Sequence, residues 1–153
     1  MKILILYRTQ KDFTGKSIKD IKENLESKGH KVEAVSRNED LHLESLSSSM
    51  DGLKGFIIKM NEKENYDLIY TQDWSIAFPI LFPTKILFEK HYCLFHDTEE
   101  KGGAQSKILQ KIAGNLLGNH LLVKTNELMV KFPKAILSKN GLEVLDLKNK
   151  QST

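Results

Sequence analysis

Three short apolar runs in the last third of the chain each end in a polar cluster. Tyr92-Cys93-Leu94-Phe95 leads into His96-Asp97-Thr98-Glu99, Leu121-Leu122-Val123 into Lys124-Thr125-Asn126-Glu127, and Ala135-Ile136-Leu137 into Ser138-Lys139-Asn140-Gly141. Similar runs occur earlier, at Ile3 to Tyr7, at Val32 with Ala34 and Val35, and at Asp67 to Tyr70. Continuous apolar runs this short predict strands buried on both faces. Between them the period changes. Ile18, Ile21 and Leu25 share one helical face over Lys16 to Lys28, with Gly29 where that helix would end. Leu53, Phe56, Ile57 and Met60 recur at the i, i+3, i+4, i+7 spacing and predict a helix from Asp51 to Glu62. Trp74 to Phe82 is apolar nearly all round, which fits a helix packed on a sheet, with Pro79 tolerated near its first turn or at a kink. Ile108, Leu109, Ile112 and Leu116 set a helix ending near Gly118, and Asn126 is expected to cap a last helix closed off by Pro133. Arg37 to Ser49 is polar and serine-rich with no assignable period, so it is expected to be loop, as is the charged, glycine-containing stretch from Glu99 to Gly103.

Strands and helices that alternate along a chain pair in parallel through right-handed crossovers. The expected class is therefore α/β: a three-layer α/β/α Rossmann-like domain with a mainly parallel sheet of about six or seven strands. Residues 1–143 would form this single domain, and residues 144–153 a C-terminal tail or truncated interdomain linker. Parallel sheets carry their working groups at the carboxyl ends of their strands, so the polar clusters are the first places to look for a site.

Composition narrows the classes further. With 153 residues, 40% hydrophobic and 28% charged, the chain fits one domain with a real core and leaves no room for a second full domain. A net charge of +3, with lysines scattered rather than stacked, gives no nucleic-acid footprint. The single cysteine, Cys93, has no partner for an intrachain disulfide and suits a reducing, cytoplasmic setting. The first apolar run is too short for a secretory leader, and Trp74 to Phe88 is interrupted by Pro79, Pro83 and Lys85, so it does not read as a membrane span. Its mixture of aromatic and basic residues makes peripheral membrane contact a candidate; the alternative is a helix buried against the sheet.

Candidate chemistry is sparse. Gly15-Lys16-Ser17 at a helix start resembles the end of a phosphate-binding P-loop, but Gln10 stands where that motif needs its first glycine, and nucleotide hydrolysis is not expected. Gly15, with the adjoining Thr14, is read either as a backbone approach to a phosphate or sugar hydroxyl or as an ordinary turn glycine. His96 follows a strand, which suits a ligand contact or proton handling and equally suits a hydrogen-bonded surface group. Gln72 and Asp73 occupy another strand end, where Asp73 is a natural helix N-cap as well as a site candidate. His30, His42, His91 and His120 show no metal-ligand spacing, and no catalytic triad order, nucleophile elbow or dinucleotide fingerprint is present.

Taken in order, Met1 to Gly15, Asp67 to Trp74, Phe95-His96-Asp97-Thr98-Glu99 and Ile136 to Glu143 resemble the segments of one family. It is the N-terminal, acceptor-side domain of family-4-type glycosyltransferases of the GT-B fold. That family has a first strand and loop, a strand written D-apolar-apolar-x-x-x-D-W, a segment of the form apolar-H-[DG]-[ST]-E, and an N-G-[VL]-[DE] segment before its second domain. The resemblance implies a transferase that moves a sugar from a nucleotide-sugar donor to an acceptor, with the donor as co-substrate and no other cofactor. It implies that His96 lines the catalytic crevice and that Gly15 and Thr14 approach donor phosphate or acceptor. It places Gln72, Asp73, Asp97, Thr98, Glu99 and Asn126 on the substrate side, and Asn140 and Gly141 at the crossover to the hinge. The family's donor-binding domain is not in these residues. The chain is thus expected to be the acceptor-binding half of the enzyme, inactive alone and needing a second domain or subunit. A sugar or lipid-linked acceptor is the expected ligand, and self-association is a candidate. The alternative is a non-catalytic binding or scaffolding Rossmann-like domain that regulates a full-length transferase.

Overall fold

The computed structural model describes residues 1–81, 89–95 and 104–138. Along these the chain runs β1 (Lys2–Tyr7), α1 (Asp12–Ser27), β2 (Lys31–Ser36), α2 (Leu46–Glu64), β3 (Leu68–Gln72) and α3 (Trp74–Leu81). It continues through β4 (His91–Phe95), α4 (Ala104–Leu117), a 3-10 turn at Gly118–His120, β5 (Leu121–Val123), α5 (Asn126–Lys131) and β6 (Ile136–Leu137). The strands form one six-stranded sheet in the order β2-β1-β3-β4-β5-β6, and every pairing is parallel. The expected α/β architecture is therefore the one observed.

Period-two alternation divides the strand residues between two faces. Ile3, Ile5, Leu68, Tyr70, Tyr92 and Leu94 belong to the cluster that packs on Ile18, Ile21 and Leu25 of α1. Leu4, Leu6 and Ile69 point the other way, onto Leu53 and Ile57 of α2 and Ile76 and Ile80 of α3. Farther along that second face, Cys93, Phe95, Leu121 and Val123 meet Ala113 and Leu117 of α4 and Leu128 and Phe132 of α5. The crossover through α1 carries the chain from β1 outward to β2, whereas each later crossover moves it toward β6. Right-handedness then puts α1 on one face and α2 to α5 on the other, so the direction of winding reverses between β1 and β3.

Several elements differ from the sequence reading at their ends. The segment expected to be loop up to Ser49 gives its last residues to α2, because Ser45 caps that helix in a reciprocal box: the Ser48 N–H donates to Ser45 Oγ, and the Ser45 N–H donates to Ser48 Oγ. The helix expected from Lys16 begins at Asp12. Thr125, rather than Asn126, caps α5, its Oγ1 accepting from the Leu128 N–H at 3.2 Å. Trp74, Ile76, Ala77 and Ile80 of α3 are buried, as a helix covering the sheet requires. Among the described residues no helix is long and apolar enough to cross a membrane.

Candidate functional site

Two backbone bonds join the residues at the ends of β1 and β2. The Arg37 N–H donates to the Tyr7 carbonyl at 2.8 Å and the Asn38 N–H to the Arg8 carbonyl at 3.0 Å. Tyr7 and Ser36 are the last pair in register, and Arg8 and Arg37 are the residues that follow them. Both side chains line a cavity on the face covered by α2 and α3. Beyond β3, the Asp73 N–H donates to the Leu94 carbonyl at 2.9 Å, and Asp73 falls on that same face. Three neighbouring strand tips thus each deliver a charged side chain to one place.

That place is a cleft of about 680 Å³ at the carboxyl edge of the sheet, where the winding reverses. Its walls are Arg8, Arg37 and Asp73 from the strand tips, Ser47 and Met50 of α2, Trp74, Ser75 and Phe78 of α3, and Gln105, Ser106 and Leu109 of α4. Ser47, Ser75 and Ser106 lie in the first turns of their helices, so the positive ends of three helix dipoles border the cavity.

Arg37 is only 7% exposed, yet it is a cation. Its Nε donates to Asn38 Oδ1 at 3.0 Å. Burial and the neighbouring Arg8 push its pKa down from the ordinary arginine value, against the opposing pull of Asp73 and Glu44. Among the described residues the one ion pair is Lys2 with Glu64, at the amino end of the sheet, so no carboxylate sits at ion-pair distance from either cleft arginine. The loops that carry the arginines are fastened to each other. Thr9 Oγ1 and the Gln10 N–H donate to the two oxygens of Glu39, while the Ser36 N–H donates to Asp40 Oδ2 at 2.8 Å. Chiefly the Thr9 bond holds the Glu39 carboxyl below its usual range.

Asp73 has a φ of 90°, a conformation that a residue with a Cβ rarely adopts. Its carboxylate accepts from the Trp74 N–H at 2.8 Å and from Ser75 Oγ at 3.0 Å, so it serves as both helix cap and cleft wall. Gln72, one residue earlier, faces the α1 side instead. It is 1% exposed, its Oε1 accepts from the Tyr70 hydroxyl at 3.2 Å, and among the described residues its Nε2 finds no acceptor. The two residues therefore do not share a site.

The remaining expected site residues that the structure describes are not gathered at the cleft. Gly15 lies within the first turns of α1, where an added Cβ would stand 2.0 Å from the Gln10 carbonyl oxygen; the close approach is to this chain's own backbone. Thr14 is in the same stretch, its side chain outside the described part. Asn126 is exposed at the start of α5 and does not line the cavity. His96, Asp97, Thr98, Glu99, Asn140 and Gly141 lie outside the described residues. Arg8 and Arg37 were not foreseen, although each is the first residue after a strand and in phase with the α2 face.

Buried titratable groups elsewhere are structural. His91 Nε2 bonds Thr71 Oγ1 at 2.8 Å, His120 Nδ1–H donates to the His91 carbonyl at 2.9 Å, and the His120 ring stacks on Tyr92. Burial, with a smaller contribution from His120, lowers the His91 pKa to about 3. Burial likewise pushes the Cys93 thiol up, which keeps it protonated and inert. Among the described residues no group of histidine, cysteine and carboxylate side chains is arranged to hold a metal. Comparisons with protein-family models, curated proteins and solved structures return no match.

Proposed function

We propose that this chain is the acceptor-binding lobe of a glycosyltransferase that moves a sugar from a nucleotide-sugar donor, with a second, donor-binding lobe completing the enzyme. The observation that carries this reading is the cleft where the parallel sheet reverses its winding, the position at which open α/β sheets hold ligands. Asp73 and Trp74, the pair that ends the D-x-x-x-x-x-D-W segment, are both in its wall. In this reading the cleft orients the acceptor and Asp73 receives one of its hydroxyls. His96, the residue after the last of β4, works at the transferred sugar. Sugar transfer through an oxocarbenium-like transition state needs an oriented acceptor and a neutralised leaving diphosphate in a water-poor cleft. The lobe described here supplies the first, and the donor lobe the second.

Reconstitution tests the reading. The purified chain is mixed with GT-B donor-binding lobes, a panel of nucleotide sugars and a panel of acceptors, and sugar transfer is followed by mass spectrometry. Turnover in a mixture, absent from either lobe alone and lost in Asp73→Ala, is the expected result. Tight acceptor binding without transfer in every pairing would reject the transferase and leave a non-catalytic binding domain.

A further inference from the structure

We propose that Arg8 and Arg37 form a clamp for a phosphate group, so that the molecule held in this cleft is a phosphate monoester rather than a neutral sugar. The inference rests on the cleft being the substrate site of the proposed transferase, and it names the chemical class of that substrate. Neighbouring strands are about 4.8 Å apart, and like charges set directly across that gap repel. Arg8 and Arg37 follow the last registered pair of the adjacent strands β1 and β2, line the same cleft, and repel, the charge of Arg8 bearing on Arg37. The repulsion is compounded by burial, because Arg37 is 7% exposed and its guanidinium meets no carboxylate at ion-pair distance among the described residues. Two like charges this close, one of them little exposed, cost stability in the empty protein, and an anion bridging the two guanidinium groups offsets that cost.

Phosphate fits that demand better than a carboxylate does. Its three oxygens accept the planar forks of two arginines together, and its charge near neutral pH approaches two. The first turns of α2, α3 and α4 add positive ends and the hydroxyls of Ser47, Ser75 and Ser106. Two acidic groups bear on the same region. Glu44 is an exposed residue that acts on Arg37 through its charge, and Asp73 already accepts from the Trp74 N–H and Ser75 Oγ. The cavity, about 680 Å³, is of the size that takes a small ligand such as a sugar phosphate.

Isothermal titration of the full chain in phosphate-free buffer with inorganic phosphate, glycerol phosphate and glycerol reads the clamp directly. Both phosphates are expected to bind and glycerol is not. Arg37→Gln should weaken phosphate binding by at least about tenfold, and Arg37→Lys should not restore it, because an ammonium has no bidentate fork. The apo Arg37→Gln protein should melt no lower than the parent, which separates lost binding from lost folding. Arg8→Gln, at an exposed position, gives a second reading should the Arg37 variants fail to fold. Sedimentation with phosphatidylcholine vesicles doped with phosphatidic acid distinguishes the source. Arginine-dependent capture without glycerol phosphate binding assigns the phosphate to a lipid headgroup and keeps the clamp. Parental phosphate affinity in the folded variants overturns the proposal, and so does an absence of binding to either phosphate source. Phosphate binding without sugar transfer rejects the transferase alone, whereas transfer to a neutral acceptor without phosphate binding rejects the clamp alone.

Discussion

At Asp73 the chain holds a residue with a Cβ at a φ of 90°, and two bonds into the first turn of α3 compensate that strain. Asp73→Ala keeps the strained backbone and loses both bonds, so it should lower unfolding free energy by about 1–2 kcal/mol in urea titration. Asp73→Asn keeps one acceptor oxygen and should lose less. Gly15 is constrained differently. The helix would prefer alanine there by about 1 kcal/mol, but the new methyl would meet the Gln10 carbonyl oxygen at 2.0 Å, and backbone yields less readily than a side-chain tip. Gly15→Ala is therefore expected to destabilise by about 1–3 kcal/mol, in the range of overpacked sites. Gly55, exposed on α2 with nothing within 4 Å of an added Cβ, makes the contrasting case. Gly55→Ala should stabilise by about 0.5–1 kcal/mol. Equal effects of the two alanines would mean that the contact at Gly15 does not govern the position.

Element ends were harder to read than element centres, and the cleft is made almost entirely of ends. The centre of α2 shows in Leu53, Phe56, Ile57 and Met60, but its first turn, Leu46-Ser47-Ser48-Ser49, is too polar to continue that stripe. Its start is set by the Ser45 and Ser48 box, in which a serine stands where a glutamate or glutamine would have advertised the cap. Ser45→Ala should cost about 1 kcal/mol in denaturant melts. Ser47 of the cleft is part of that same hidden turn. Asp73 was legible because a strand end and a helix start coincide on it, whereas Asn126 lost its capping place to Thr125. Arg8 and Arg37 each looked like the first residue of a loop. They become neighbours only through the pairing of β1 with β2, and pairing is a tertiary outcome that short buried strands do not encode locally.

Burying imidazoles gives the whole molecule an acid sensitivity that the cleft does not share. His91 is held neutral inside the sheet with a pKa lowered to about 3, while the unfolded chain takes up its proton near the ordinary value of 6.5. As pH falls below 6.5, the unfolded state binds a proton that the folded state refuses, so stability is lost on acidification and is fully present above that value. For one such group the loss is about 2 kcal/mol between about pH 7 and about pH 5. His30, partly buried and also lowered chiefly by burial, acts in the same direction. The depressed Glu39 carboxyl adds its own loss only at lower pH, once pH drops through the carboxylate range, so this window isolates the histidines. His91→Gln retains a side-chain partner for Thr71 and removes the titration. Urea unfolding at the two ends of the window should show that the variant loses markedly less stability than the parent. If both proteins lose the same amount, His91 does not carry the acid response, and the imidazole at His30 becomes the group to replace.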